Sequence, residues 1–512
     1  MNAMVDLSSA LRAGSLIAAM LLFGVNTAFA APPSDSIFTQ IFAKKKLTVK
    51  NIYATAEQQA WLSEAGISLK RYAGKPADQA MMNGVLKKFV AYNENNGYPF
   101  ARAQLDSIQL DSVFFSATLK LEKGSCISID TLVVKGDGRV RPRFMQNHLA
   151  LRKPRLYSER YVQSVDRRID ELGFLSAPQP SALDFGAQSA ALYIFVDNAK
   201  ANRANGLLAF GADESGELQL QGEASIFVAN MFKGGEELAV DWRSPDKNVQ
   251  MLNVGAKLPY IILGAIGVSA AFDMERRDTL YLSLHSKVGL LSRAGSCSTA
   301  SLFVDAQQHS NTTANIQTSS VLYGADYTLR NVDNPLFPRS GVHASVSVAA
   351  GTRKAESNQS TEVESMASVA CYAAATRRTS LMLRAQGKIK GVFGNGEAAA
   401  LYQSELYSIG GANSLRGFNE RSLFTSAYAI AALEPQFYFS ARGYLSAFCD
   451  YALAKNERDF SQPADQFLSF GVGTRFATEA GIFSLSYALG KATSGSFLLK
   501  NAKVHVSYMV VF

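Results

Sequence analysis

From residue 204 to the end of the chain, apolar and polar residues alternate with a period of two. In one such segment, Leu381 and Leu383 share one face, whereas Arg384 and Lys388 share the other. Successive side chains of a strand point to opposite faces. The pattern therefore predicts strands with one apolar face and one face that is too charged to line a dry core.

Sixteen segments of this kind follow one another, and an even number is typical of single-chain bacterial outer-membrane barrels. They are residues 204–211, 218–227, 234–243, 250–259, 264–273, 282–290, 299–308, 318–328, 341–350, 364–374, 381–390, 426–436, 441–450, 466–475, 481–488 and 503–512. The fold that they predict is an all-β transmembrane barrel of sixteen antiparallel strands, with a polar interior and an apolar exterior. A β-sandwich has the same period, so the period alone does not separate the two folds.

The connections between the predicted strands alternate in length, which is the barrel convention. Long outer loops are predicted at residues 351–363, 391–425, 451–465 and 489–502. The inner connections, such as residues 375–380, are mostly short.

Before residue 200, helical and strand patterns mix, and an arrangement of one strand, helices and then two strands occurs twice. One helix is predicted at Pro76–Asn95 and ends at Gly97, and a second begins at Ser158 and ends at Gly173. Glycine after the last turn is a common helix cap. The repeat predicts two small α+β domains, at residues 46–123 and 126–199, in front of a barrel at residues 204–512. One larger α+β domain is the alternative.

The first thirty residues have the features of a secretory signal peptide. Arg12 precedes the apolar stretch Ser15–Val25, and Ala28-Phe29-Ala30 matches the usual cleavage pattern. We therefore predict a signal peptide at residues 1–30 and a linker at 31–45. No later stretch of about 20 apolar residues is available for a transmembrane helix.

Composition and motifs argue against several classes of function. The net charge of +8 is dispersed along the chain, which argues against a nucleic-acid partner. The four cysteines and five histidines match no metal-binding spacing. Nucleophile-elbow and P-loop motifs are absent from the sequence. We therefore expect no enzyme activity, no cofactor and no metal.

The longest predicted outer loop carries the most specific motif. It contains Gly410 and Gly411, followed by Leu415-Arg416-Gly417-Phe418. This motif resembles that of the BamA/TamA class of outer-membrane assembly factors, where a glycine pair and an R-G-F/Y sequence lie in loop six of the barrel. The position between predicted strands eleven and twelve is similar too.

Two further segments extend the resemblance. The turn before the ninth predicted strand, from Asp333 through Pro338 to Gly341, is similar to a periplasmic turn of that family. The last strand, with Tyr508 and Phe512, resembles the C-terminal signal that the assembly machinery reads, although aromatic residues facing lipid are common in any barrel strand. The resemblance implies that the two α+β units are POTRA-like domains.

An arginine in a loop folded back into a barrel needs carboxylate partners, because an unpaired buried charge is costly. Guanidinium suits such a site because it binds carboxylates through two parallel hydrogen bonds. The resemblance implies Glu434 and Asp450 as the acidic partners of Arg416, and both fall on the polar faces of their predicted strands. A solvated loop arginine is the alternative.

The resemblance implies a factor that assembles or inserts barrel proteins, or translocates proteins, in the bacterial outer membrane. Its N-terminal domains would lie in the periplasm. The expected partners are the lipid bilayer and unfolded barrel or secreted clients, with periplasmic chaperones or lipoproteins as further candidates. A two-partner secretion transporter and a passive porin or structural surface barrel are the alternatives.

Overall fold

A computed structural model describes the chain from Leu47 to Val511, apart from short gaps. The gaps are residues 112, 152–153, 213–217, 247–248, 279, 296, 313–314, 357, 395–396, 399–400, 456–463, 480 and 493–494. The predicted signal peptide and linker lie outside the described residues, and so does Phe512.

The chain folds as two compact units. Of the described residues, unit 1 contains those from Leu47 to Ile129 with Arg155–Val162 and Phe185–Ala190. Unit 2 contains Asp130–Pro154, Gln163–Asp184 and the chain from Ala191 onward.

The N-terminal part of unit 1 is a small α+β arrangement. Its elements are β1 (Thr48–Tyr53), α1 (Ala56–Glu64), α2 (Gln79–Glu94), β2 (Arg102–Leu110) and β3 (Phe114–Glu122). The sheet order is β1-β3-β2, with β1 parallel and β2 antiparallel to the central strand β3. Asp78 caps α2 by accepting a hydrogen bond from the Met81 N–H, which explains why this helix begins after Pro76. Phe89 of α2 packs against Leu119 and Leu121 of β3 in the core.

A second α+β set follows. Its elements are β4 (Ser128–Lys135), α3 (Pro142–His148), β5 (Arg155–Leu156), α4 (Glu159–Asp170), β6 (Leu175–Ser176), β7 (Ala182–Phe185), β8 (Ser189–Phe195) and β9 (Asp197–Asn198). The strands form two sheets, of order β5-β4-β8-β7 and β6-β9. The α+β class predicted for this part of the chain is confirmed. The domain boundaries, 46–123 and 126–199, stay predictions.

The rest of the chain forms a closed barrel, in which each strand pairs with its neighbours along the chain. Its sixteen long strands are β10 (Arg203–Ala212), β11 (Leu218–Ala229), β12 (Glu237–Asp246), β13 (Val249–Ile262), β14 (Ile266–Arg277), β15 (Tyr281–Arg293), β16 (Ser298–Asn311), β17 (Ile316–Val332), β18 (Gly341–Ala355), β19 (Asn358–Ala374), β20 (Thr379–Gly394), β24 (Ala427–Ser440), β25 (Gly443–Lys455), β26 (Asp465–Ala477), β27 (Ile482–Ala492) and β28 (Lys503–Val511). Short strands β21 (Glu397–Ala398), β22 (Tyr407–Ile409) and β23 (Leu423–Thr425) lie between β20 and β24. The sixteen-stranded antiparallel barrel predicted from the sequence is confirmed.

One predicted outer loop is wrong. Residues 351–363 are mostly strand, because β18 runs to Ala355 and β19 begins at Asn358. The apolar alternation fades there, as in the opposed pair Thr352 and Thr361. Backbone pairing nevertheless continues, since hydrogen bonds between strands do not require apolar side chains.

The two faces of the barrel strands are those that the alternation predicted. On β16, Leu302 and Val304 are 67% and 41% exposed on the outer surface. On the same strand, Gln307 and His309 are buried inside. The apolar exterior suits lipid, and the polar groups are collected in the interior.

The closure between the first and last strands is short. Among the described residues, β10 pairs with β28 at two positions, Arg203 with Val511 and Ala204 with Val510. On its other side, β10 pairs with β11 at ten positions, from Arg203 to Ala212. We call the β10–β28 contact the seam.

We call the end of the barrel where β10 begins the turn end, and the opposite end the loop end. Within unit 2, helix α3 lies against the turn end. The Phe144 ring packs 5.6 Å from that of Tyr260, and His148 Nδ1 lies 3.1 Å from the Tyr260 hydroxyl. Burial, with the Arg293 guanidinium as the second cause, lowers the pKa of His148 to about 3. The ring is therefore neutral at pH 7, which suits a packed junction.

No helix in the described part of the chain is long and apolar enough to cross a bilayer.

Substitutions on the outward face of β16 test whether this face is exposed to lipid. Val304→Arg places a charge near the middle of the strand, and we expect it to cost about 2–4 kcal/mol of unfolding free energy in a bilayer. Gln308→Arg is the matched control, on the same face and closer to the loop end, and its cost should be about 0–1 kcal/mol. Reversible denaturant unfolding in phospholipid vesicles measures both values. Equal costs would argue against this placement in lipid.

Candidate functional site

Residues 401–426 of the connection between β20 and β24 fold into the barrel, and we call this segment loop six. Its short strands β22 and β23 pair with each other, and Ile409 lies opposite Leu423. Ile409 and Leu415 are almost fully buried in a cluster with Ile430 of the barrel wall. Loop six is therefore a packed part of the interior.

The three glycines of the loop motif adopt backbone conformations that favour glycine. The φ angles of Gly410, Gly411 and Gly417 are 115°, 97° and 84°. A Cβ atom at Gly417 would lie 2.8 Å from the backbone nitrogen of Gly490 on β27. Glycine thus allows the loop to approach the barrel wall closely.

Arg416 lies at the centre of the site and is paired with two carboxylates. Its Nη1 donates to Glu434 Oε2 at 2.6 Å. Its Nη2 and Nε donate to the two oxygens of Asp450 at 2.6 and 2.8 Å. The guanidinium also stacks 3.5 Å from the centre of the Phe448 ring. Strands β24 and β25 supply all three partners, as neighbours in the barrel wall.

The turn from Asp333 to Gly341 is shaped by its own side chains. Asp333 Oδ1 accepts hydrogen bonds from the backbone N–H groups of Asn334, Arg339 and Ser340, at 3.0, 2.9 and 3.1 Å. Gly341 has a φ of 113°, and a Cβ atom there would lie 2.1 Å from the Asn331 carbonyl oxygen.

A chain of hydrogen bonds connects this turn with the arginine site. The Tyr438 hydroxyl shares its one proton between two acceptors, the Pro338 carbonyl at 2.9 Å and Gln436 Oε1 at 3.1 Å. The Gln436 amide then donates to Glu434 Oε1 at 3.1 Å. The second oxygen of that carboxylate is the one that binds Arg416. The turn motif and the loop motif are therefore parts of one connected polar network.

Sequence reasoning missed three further ion pairs of loop six, of which the one between Arg243 of β12 and Glu420 is long, at 3.7 Å, and exposed. Arg353 of β18 binds Glu405 through Nε and Nη2, at 2.6 and 2.9 Å, and both side chains are buried. Arg421 binds Glu275 of β14 through Nη2. The alternation of polar and apolar residues places Arg353 and Glu275 on the polar faces of their strands. It does not show which charged side chains pair with each other.

A cavity of about 1110 Å³, lined by both apolar and charged side chains, extends from the turn end to loop six. His285 and His309 line it with their rings 5.2 Å apart, although the two residues are far apart in the sequence. Lys390 also lines it and pairs with Glu362 and Glu364 at 3.1 and 2.7 Å. No group of side chains in the described residues is arranged to hold a metal ion.

The remaining predicted residues lie apart from this network or outside the described chain. Tyr508 of β28 is 38% exposed on the outer surface and lies opposite Phe483. Phe418 packs edge-on against Phe467, with ring centres 5.5 Å apart. Phe512 is not described, so its proposed part in a C-terminal signal stays a prediction.

A closed barrel of sixteen strands, with a loop packed into its lumen through buried arginine pairs, defines a class of outer-membrane barrel proteins. Residues 259–496, within the barrel, match the Omp85 superfamily domain. The resemblance inferred from the sequence motifs is thereby confirmed.

Solved structures agree with this fold. The chain is similar to BamA from Haemophilus ducreyi lacking POTRA domains 1–3, with a TM-score of 0.50 and 15% identity over 91% of this chain and 99% of that one. It is also similar to CdiB from Acinetobacter baumannii, with a TM-score of 0.57 and 12% identity over 91% and 90% of the two chains. For CdiB from Escherichia coli, the TM-score is 0.55 and the identity 14%, over 100% of both chains. No curated protein matches the sequence.

Replacing Arg416 tests how much its ion pairs contribute to the stability of the barrel. Arg416→Ala leaves the carboxylates of Glu434 and Asp450 buried without their cation, so we expect a loss of about 3–5 kcal/mol of unfolding free energy. Denaturant unfolding of the purified barrel measures the loss. The control is Arg377→Ala, which removes an exposed arginine from a turn and should leave stability unchanged. A similar stability for both variants would contradict a buried ion pair.

Gly417→Ala should loosen loop six without removing any charge. The added Cβ meets the β27 backbone, and positive φ is unfavourable for alanine, so we expect a cost of about 1–3 kcal/mol. Faster cleavage of loop six in limited proteolysis would report the change. Gly255→Ala is the control, because a Cβ there meets nothing within 4 Å. Equal cleavage rates in the two variants would contradict the close approach.

Proposed function

We propose that the protein is an outer-membrane factor that assembles or inserts client β-barrel proteins, with its N-terminal domains in the periplasm. The observation that carries this proposal is the seam, which pairs at two positions among the described residues. The Omp85 domain supports the same class of function.

A short ladder makes the seam the weakest contact of the barrel wall. Each lost pair of residues leaves backbone groups that need other partners, and hydrocarbon offers none. The edges of β10 and β28 beyond Ala204 and Val510 can therefore pair with an incoming strand. A client strand added there would be held by main-chain hydrogen bonds as it enters the bilayer.

Loop six is held by strands other than the two that form the seam. Its ion pairs reach β14 through Glu275, β18 through Arg353, and β24 and β25 through Glu434 and Asp450. A longer ion pair reaches β12 through Arg243, and Gly417 packs against β27. None of these strands is β10 or β28. The loop thus stabilises much of the barrel wall, and its ion pairs leave β10 and β28 free to separate.

The N-terminal sheet supplies a surface for an unfolded client. Strand β2 lies at one edge of the order β1-β3-β2, and its free backbone groups can accept an added strand. Client binding at this edge places unfolded barrel proteins, or chaperones and lipoproteins that deliver them, on the periplasmic side.

A two-partner secretion transporter is the second candidate function. The cavity of about 1110 Å³ favours it, because a client that crosses the membrane needs a polar path through the lumen. Loop six opposes it, since a polypeptide can pass only after the buried ion pairs of the loop have separated. The same occlusion opposes a passive porin.

A reversible lock across the seam separates these functions. In a background with the four cysteines replaced, Ala204→Cys with Val510→Cys faces two thiols across the closure, at a distance that a disulfide spans. We expect oxidation to reduce insertion of a client barrel into vesicles to background, and reduction to restore it. Secretion through the lumen should continue with the seam locked.

The control lock is Val346→Cys with Ala367→Cys, a pair opposed in the fifteen-residue ladder of β18 and β19. It should leave insertion unchanged, because that ladder is already closed. Full insertion by the oxidised seam variant would refute lateral opening. In cells, depletion of the protein should lower the amounts of other outer-membrane barrels if it is an insertase, and leave them unchanged if it is a dedicated transporter.

A further inference from the structure

The turn between β11 and β12 presents apolar side chains outside the barrel. Met231 and Phe232, at its tip, are 53% and 61% exposed. The turn is held by its own hydrogen bonds, since the Asn230 N–H donates to the Glu236 carbonyl at 2.6 Å and the Gly235 N–H donates to Asn230 Oδ1 at 3.0 Å. The exposed apolar tip is therefore a fixed feature of the fold.

This tip continues the outer apolar surface of the barrel. Ile226 on β11 and Leu238 on β12 flank the turn and are 51% and 38% exposed on the outside. The next turn at the same end carries Ile261 and Leu263, which are 55% and 77% exposed. Apolar surface thus extends from the strands past the turn end of the barrel.

A basic segment lies directly beside the turn. The Arg141 N–H donates to the Lys233 carbonyl at 2.8 Å, and the Asn230 amide donates to the Arg139 carbonyl at 2.7 Å. Phe144 of α3 also packs closely against the turn. A Cβ atom at Gly235 would lie only 2.2 Å from the Phe144 ring.

The turn and this segment carry four exposed cationic side chains. They are Arg139, Arg141, Arg143 and Lys233, and none of them forms an ion pair among the residues that the structure describes. The carboxylate of Glu236, the acidic residue of this turn, accepts hydrogen bonds from the Gly234 and Phe232 N–H groups. We call these four residues with Met231 and Phe232 the turn patch.

We propose that the turn patch binds the headgroup region of anionic phospholipids in the leaflet at the turn end, which under the proposed function is the periplasmic leaflet. Apolar side chains bordered by Lys and Arg are the arrangement that inserts into a bilayer interface, where the cations meet lipid phosphates. Continuity with the outer surface of β11 and β12 favours lipid over a protein partner. The contact would hold α3 and its basic segment at the membrane surface.

The fluorescence of a tryptophan placed at the tip of the turn can report contact with lipid. The probe is Phe232→Trp in the full chain, with Trp61 and Trp242 replaced by phenylalanine and folding checked by heat-modifiable migration. The protein is placed in nanodiscs of phosphatidylcholine, with or without phosphatidylglycerol. Quenching by lipids brominated near the headgroup and by aqueous iodide is then measured.

We expect the brominated lipids to quench the Phe232→Trp probe and iodide to leave it largely unquenched. The triple variant R139Q, R141Q and R143Q should weaken lipid quenching in discs with phosphatidylglycerol and change little in phosphatidylcholine alone. A probe that stays open to iodide in both lipids would overturn the proposal. Protection only by an added urea-unfolded barrel protein would also overturn it, and would assign the patch to client binding.

A second probe, Leu238→Trp on the outer face of β12, separates failure of this inference from failure of the proposed function. If lipid quenches this control but leaves the Phe232→Trp probe unaffected, the barrel is inserted and the turn patch inference is wrong. If lipid quenches neither, the placement of the barrel in the membrane is wrong, and the inference falls with it.

Discussion

The structure depends on one constraint, which is that backbone N–H and C=O groups in hydrocarbon must find partners within the protein. A sheet with one apolar face meets this constraint only by closing on itself, and the sixteen strands do so in chain order. The seam is where the constraint is met least completely, because two positions pair across it among the described residues. The weakness that endangers a barrel in lipid is also the feature that suits a factor acting on other barrels.

Closure with the apolar face outward has a second consequence, because it collects charged side chains in the lumen. Buried charges are tolerated when they are paired, and loop six supplies partners that the strands alone lack. Glu405 enters beside Arg353, and Arg416 enters between Glu434 and Asp450. The loop and the wall therefore stabilise each other, and neither set of charges would be satisfied without the other.

The turn and loop motifs illustrate how separate sequence signals come to act as one site. Asp333 shapes a turn, and Tyr438 connects that turn through Gln436 to the carboxylate that binds Arg416. The residues of this network come from three separated segments of the chain. A resemblance in short motifs therefore corresponds here to one continuous set of hydrogen bonds inside the barrel.

The sequence by itself determined the number and order of the strands and which face of each meets lipid, because a period of two is a local property of each segment. It also placed Glu434 and Asp450 on inward faces. Only the tertiary structure decided which inward charges meet, since Arg353 and Glu405 are 52 residues apart and Arg421 and Glu275 are 146 apart. The tertiary structure also decided how far β18 and β19 extend beyond their apolar segments, and how few residues pair across the seam. Both depend on backbone pairing between strands, which side-chain alternation does not record.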